Sequence, residues 1–140
     1  MEKRKFTIIG RLNMENSVLL KWLLLIGGYV EIFLGALFVL MQFFVGYMGL
    51  SIEVPIFNQI LGMMTICFGI LLIYSTKDIE KYAIIPKVNC LLRFLVQPAV
   101  VYNVIVVPEM IPILIGSAIY DVVWAVLVLI LLNKCGYFKI

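Results

Sequence analysis

The sequence predicts an all-α integral membrane protein, a four-helix bundle whose N and C termini both lie on the cytoplasmic side. Three observations carry this prediction. Of 140 residues, 64% are hydrophobic and 14% charged, with a mean hydropathy of +1.14, whereas soluble domains are roughly 45–50% apolar and about 25% charged. Four separate runs reach the roughly 20 apolar residues that a helix needs to cross a bilayer. Lysine and arginine gather on alternate connections between those runs. The composition excludes a water-soluble enzyme and a disordered tail. The net charge of +3 is too small to suggest a nucleic-acid partner.

The elements follow in order within one domain, residues 1–140. Residues 1–20 form a basic lead, either lying along the cytoplasmic membrane surface or forming a frayed tail that only sets topology. The first span covers residues 22–45 and is broken only by Glu31 and Gln42. It is longer than a signal-peptide core and no small-residue cleavage site follows, so it reads as a retained span. The second span covers 56–75, the third about 88–107 and the fourth 111–132. Gly46, Gly49 and Pro55 break the first connection. Residues 77–81 form a charged turn, and residues 108–112 a tight one in which Pro112 suits a first helical turn.

Every Lys and Arg except Arg93 falls on the N-terminal flank, the middle connection or the C-terminal tail. The other two connections carry only Glu53 and Glu109 as charges. Four spans with that asymmetry place both termini in the cytoplasm of a cell membrane. The partners this implies are the lipid bilayer and either other membrane subunits or further copies of the chain.

Each span carries a small or polar stripe. Gly28, Glu31, Gly35, Gln42 and Gly46 share one helical face of the first. Asn58, Gly62, Thr65, Gly69 and Thr76 do so in the second. Asn89, Arg93, Gln97 and Asn103 fall within an arc of about 120° in the third. In the fourth, Gly116 or Ser117 leads to Asp121 and Trp124. Glycines let backbones approach in lipid, so Gly28, Gly35, Gly62 and Gly69 are expected to pack helices. Pro98 is expected to kink the third span and free a carbonyl.

Three ionisable residues lie at membrane depth, where each is costly and a functional candidate by default. At about 1.5 Å per residue, Glu31 is about 15 Å beyond Lys21, Asp121 about 14 Å beyond Pro112 and Arg93 about 9 Å beyond Lys87. Two acids and one base leave one excess negative charge, and a lone buried carboxylate takes up a proton or a cation. Arg93 is therefore expected to pair with one acid while the other holds a proton. Glu31 is the better candidate for the protonated acid, because Gly28 and Gly35 leave room for a cavity on its face. Gln97, Asn103 and Tyr120 are the expected cavity lining, with Tyr120 placed to donate to Asp121. A purely structural Arg–carboxylate clamp accounts for the same residues.

Cys67, Cys90 and Cys135 are far apart and form no CxxC pair, and the chain has no histidine. Neither a metal site nor a redox pair is expected, and no cofactor is implied. The segment from Gly27 to Gly35, GGYVEIFLG, resembles the first helix of the small multidrug resistance transporters. That family also has four short helices, and the resemblance implies a proton- and drug-binding role for Glu31. The likeness covers nine residues. The run from Gly62 to Gly69 is similar to that family's last helix but falls on the second span here, and the third span departs with Arg93 and Pro98. Small four-helix proteins of the DoxX-like type share the size and span number, with no motif in common.

Three functions compete. A structural or accessory membrane subunit needs only the bundle and the clamp. A small transporter or sensor of protons, cations or a lipophilic ligand needs an accessible cavity at Glu31. A membrane enzyme would use Asp78, Glu80 or the buried acids, and it lacks a nucleophile elbow, a phosphate loop and a metal cluster. The first is the expected function, and an enzyme is not expected.

Overall fold

The computed structural model describes residues 2–44, 55–106 and 111–138, and their side chains except those of residues 2–13, Gln42, Pro55 and Ile113. Its regular elements are helices: α1 (Glu2–Phe44), α2 (Pro55–Ser75), α3 (Ile84–Val106) and α4 (Ile111–Lys134). All four are long and apolar enough to cross a membrane, over Met14–Met41, Ile56–Ser75, Ile84–Val106 and Leu114–Lys134. The readings on Gly46, Gly49, Glu53, Pro108 and Glu109, and on the Gln42 side chain, lie outside the described residues.

Two boundaries differ from expectation. The lead and the first span form one helix rather than two elements. The lead is helical from Glu2 and continues unbroken into the first span, giving 43 residues. At about 1.5 Å per residue, that is about 64 Å, roughly twice the hydrocarbon thickness of a bilayer. Charge does not stop a helix, and Glu15 and Lys21 are good helix formers. The third helix begins at Ile84 rather than near residue 88. Pro86 lies in its first turn, where the backbone N–H has no intrahelical acceptor to lose. Pro98 does not end α3, which runs through it to Val106.

The connection from α2 to α3 consumes its own backbone groups. Ser75 Oγ and Thr76 Oγ1 donate to the carbonyls of Leu72 and Ile73. Asp78 accepts from the Lys81 N–H through its Oδ1 at 3.0 Å and from the Tyr82 N–H through its carbonyl at 3.0 Å. At the end of α4, Gly136 has φ +76°. Its N–H donates to the Asn133 carbonyl at 3.0 Å and the Tyr137 N–H to the Leu132 carbonyl at 2.9 Å. This left-handed cap satisfies two terminal carbonyls and favours glycine.

The chain divides into two compact units, Leu24–Lys77 and Met1–Leu23 with Asp78–Ile140. In the first, α1 and α2 run antiparallel with their backbones in contact. A Cβ added to Gly28 would lie 2.7 Å from the Gly69 carbonyl oxygen, and one added to Gly69 would lie 2.5 Å from that of Gly28. Gly35 and Gly62 repeat the reciprocal contact at 2.6 and 2.5 Å. Each glycine is also covered by the β-branched residue four positions after its opposite: Ile73, Ile32, Ile66 and Val39. Both helices therefore carry the same pattern, Gly-x3-Ile/Val-x2-Gly-x3-Ile/Val, at 28–39 and 62–73. The seven-residue repeat keeps the seam on one face, as in left-handed helix pairs.

In the second unit α3 packs against α4 along a face that lies toward the Lys87 end. Its buried residues are Pro86, Asn89, Cys90 and Arg93 on α3 and Trp124, Ala125, Val128, Leu131 and Leu132 on α4. Both sets step by three and four residues, the period of one helical face. Cys90 Sγ–H donates to the Ala125 carbonyl at 3.7 Å. Past Arg93, no described residue of α3 is buried, and α4 has none before Trp124.

Candidate functional site

The polar cluster is built on two facing turns of α3 and α4. Asn89 and Arg93 lie four residues apart, so their side chains meet on one helix face. Arg93 Nε donates to Asn89 Oδ1 at 2.9 Å. Its Nη1 forms the ion pair with Asp121 Oδ1 across to α4. The guanidinium carbon lies 4.3 Å from the Trp124 ring centroid and 5.4 Å from that of Tyr120, within cation–π range. Arg93 is 8% exposed and the Asp121 side chain 24%. A planar fork with five donors suits this use, and lysine could not supply it. Trp124 is buried, and its Nε1–H has no hydrogen-bond partner among the described residues.

Asp121 is thus the acid that pairs with Arg93. Glu31 lies in the unit built by α1 and α2, and is 6% exposed. Its side chain takes part in a polar or electrostatic interaction. The space expected beside it on the face of Gly28 and Gly35 is instead filled by the α2 backbone and by Ile73 and Ile66. The glycines remove volume and so bring the two helices together.

Gln97 and Asn103 act on their own helix. Gln97 Nε2 donates to the Arg93 carbonyl at 2.9 Å, and Asn103 Nδ2 to the Ala99 carbonyl at 2.7 Å. Tyr120 meets Arg93 through its ring. Gly116 and Ser117 are exposed, and a Cβ added to Gly116 would meet nothing within 4 Å. They lie outside the α3–α4 contact that includes Asp121 and Trp124.

A groove of ≈290 Å³ does lie in this unit, bounded by Lys87, Cys90, Leu91, Phe94, Leu129 and Phe138. None of the expected lining residues borders it. Sequence reasoning missed it because five of its six residues are ordinary apolar side chains and Phe138 follows the last helix. The Gly-x3-Ile/Val repeat was also missed, although it can be found by comparing the first two spans. Among the described residues, no group of three or more His, Cys, Asp or Glu side chains could hold a metal ion.

Comparison with protein-family models, characterised proteins and solved structures finds no match to this chain. The nine-residue likeness around Glu31 therefore has no family-wide similarity behind it. What the fold and cluster define is a class: an all-α chain whose described helices include four of membrane-crossing length and composition.

Proposed function

We propose that this chain is a multi-pass subunit of a cell membrane with a structural or accessory role, its termini in the cytoplasm. The observation that carries the reading is the closure of the arginine cluster. Asn89 and Asp121 engage Arg93 at its edge while Trp124 and Tyr120 meet its guanidinium, so the residues best able to bind a substrate are spent on holding α3 in register with α4.

Two further features support it. Lys77, Lys81 and Lys87 lie over Tyr74, Tyr82 and Phe138 at 4.8, 5.2 and 5.6 Å, as expected of side chains at a membrane interface. The ends of α3 and α4 distant from Lys87 expose Tyr102, Asn103, Ile105, Ile115, Ser117 and Ile119. A polar amide on an exposed helix face favours a neighbouring helix over lipid.

The test pairs stability with transport. Arg93→Leu or Asp121→Leu alone should cost about 3–5 kcal/mol by leaving a charge without its partner, and the double replacement should recover most of the loss. Thermal unfolding in detergent reads this. Proteoliposomes of the wild type and of Glu31→Gln should show the same proton and cation flux as empty vesicles. Flux above that baseline which Glu31→Gln abolishes would replace the structural reading with the transporter one.

A further inference from the structure

We propose that two copies of this chain pair through α3, across a face carrying Phe94, Val101 and Ile105, with Gln97 of each copy hydrogen-bonded to Gln97 of the other. The inference rests on the membrane placement proposed above and adds a partner and a contact surface to it. Gln97 lies 13 residues after Ile84 and nine before Val106, so about 20 Å and about 14 Å from the two ends of α3. In a spanning helix that is the hydrocarbon interior. The residue is half-buried, and its Nε2 gives one hydrogen to the Arg93 carbonyl. The second Nε2 hydrogen and the lone pairs of Oε1 have no partner among the described residues. One turn away, the Phe94 carbonyl has lost the amide it would face in a regular helix, because Pro98 has no N–H. Hydrocarbon offers a donor to neither oxygen, and an unsatisfied polar group there is costly.

The surface around Gln97 suits a second helix. Phe94, Gln97, Val101 and Ile105 fall within an arc of about 80° at 100° per residue. Phe94 is 38% exposed, Val101 61% and Ile105 74%. The buried residues of α3 all lie at or before Arg93, so this outer part of the helix keeps its surface open. β-branched side chains also cover the glycines in the seam between α1 and α2.

The amide decides what the occupant is. A partner must bring both a donor and an acceptor to the depth of Gln97. A second copy, inserted in the same orientation, brings its own Gln97 to that depth. A two-fold axis along the membrane normal makes the contact reciprocal, each Nε2 donating to the other Oε1. Asn103 is exposed as well, but it lies three residues from the end of α3, about 4.5 Å along the helix, where headgroups and water serve it.

The experiment uses the full chain carrying a donor or an acceptor fluorescent protein at its C terminus. The two forms are mixed in dioleoylphosphatidylcholine vesicles, and energy transfer is read against protein density. The wild type should give a saturable dimer curve. Gln97→Leu should raise its dissociation constant about tenfold, the loss expected of two interhelical hydrogen bonds in lipid, with an unchanged circular dichroism spectrum. A second measurement keeps Gln97 in place. In a chain with Cys67, Cys90 and Cys135 replaced by alanine, oxidation should link copies through Val101→Cys. Val96→Cys should give no link, although Val96 is also exposed, because it lies about 140° away around α3.

A wild type that stays monomeric at every density overturns the proposal. So does a dimer that Gln97→Leu leaves equally tight, or one that Val96→Cys links as readily as Val101→Cys. A chain that failed to fractionate with membranes would overturn the placement itself, which is a separate result.

Discussion

At the scale of single residues, the three cysteines report on three environments. Cys67 is exposed on α2, Cys90 is buried against α4 and Cys135 is half-buried just past the end of α4. Burial pushes the Cys135 thiol above its ordinary value, because desolvation disfavours the thiolate. The thiolate is the reactive form. A raised value leaves less of it at neutral pH, so alkylation should be slower than for a free thiol at pH 7.5 and should quicken as pH rises. A membrane-impermeant maleimide, applied to inverted vesicles and read by mass spectrometry, should label Cys135 with that pH profile and leave Cys67 and Cys90 unmodified. Labelling of Cys135 at the free-thiol rate would contradict its burial.

At the scale of elements, the glycines sort by what faces them. Gly35→Ala would place a Cβ 2.6 Å from the Gly62 carbonyl oxygen. Backbone cannot yield as a side-chain tip does, so α1 and α2 must separate, at a cost of about 1–3 kcal/mol. Gly116→Ala meets open space and should gain up to about 1 kcal/mol from helix propensity. Unfolding of the two variants in one detergent checks both signs. The contrast also shows what the sequence made legible. Their place on one helical face marked Gly28, Gly35, Gly62 and Gly69 as packing residues, because small residues at helical spacing have one main use in lipid. Spacing did not reveal that the opposing backbone fills the space beside Glu31, since that depends on the register between two helices. Gly116 looked the same on paper and differs only in having no neighbour.

At the scale of the whole molecule, four helices of spanning length follow from hydropathy alone. Their ends were harder to read. Charged residues were taken as the edge of the first span, yet α1 begins at Glu2, because helix formation and membrane depth are separate properties. The pairing of Arg93 with Asp121 was legible as one of two choices, since charge bookkeeping names the groups but not the partner. The proposed topology gives its own expectation: reporter tags at either terminus and in residues 77–81 should be reached from the cytosol, and tags beside Glu53 and Glu109 from the opposite side. A tag near Glu53 reached only from the cytosol would refute it.

The arginine's partner has a consequence for biosynthesis. Because Arg93 finds its acid on the next helix to emerge, its charge stays uncompensated only for the interval in which one further segment is synthesised. The translocation channel would then release α3 and α4 together, as a neutralised couple. A nascent chain halted before Asp121 should linger at the channel, whereas the chain released with α4 complete should partition freely into lipid.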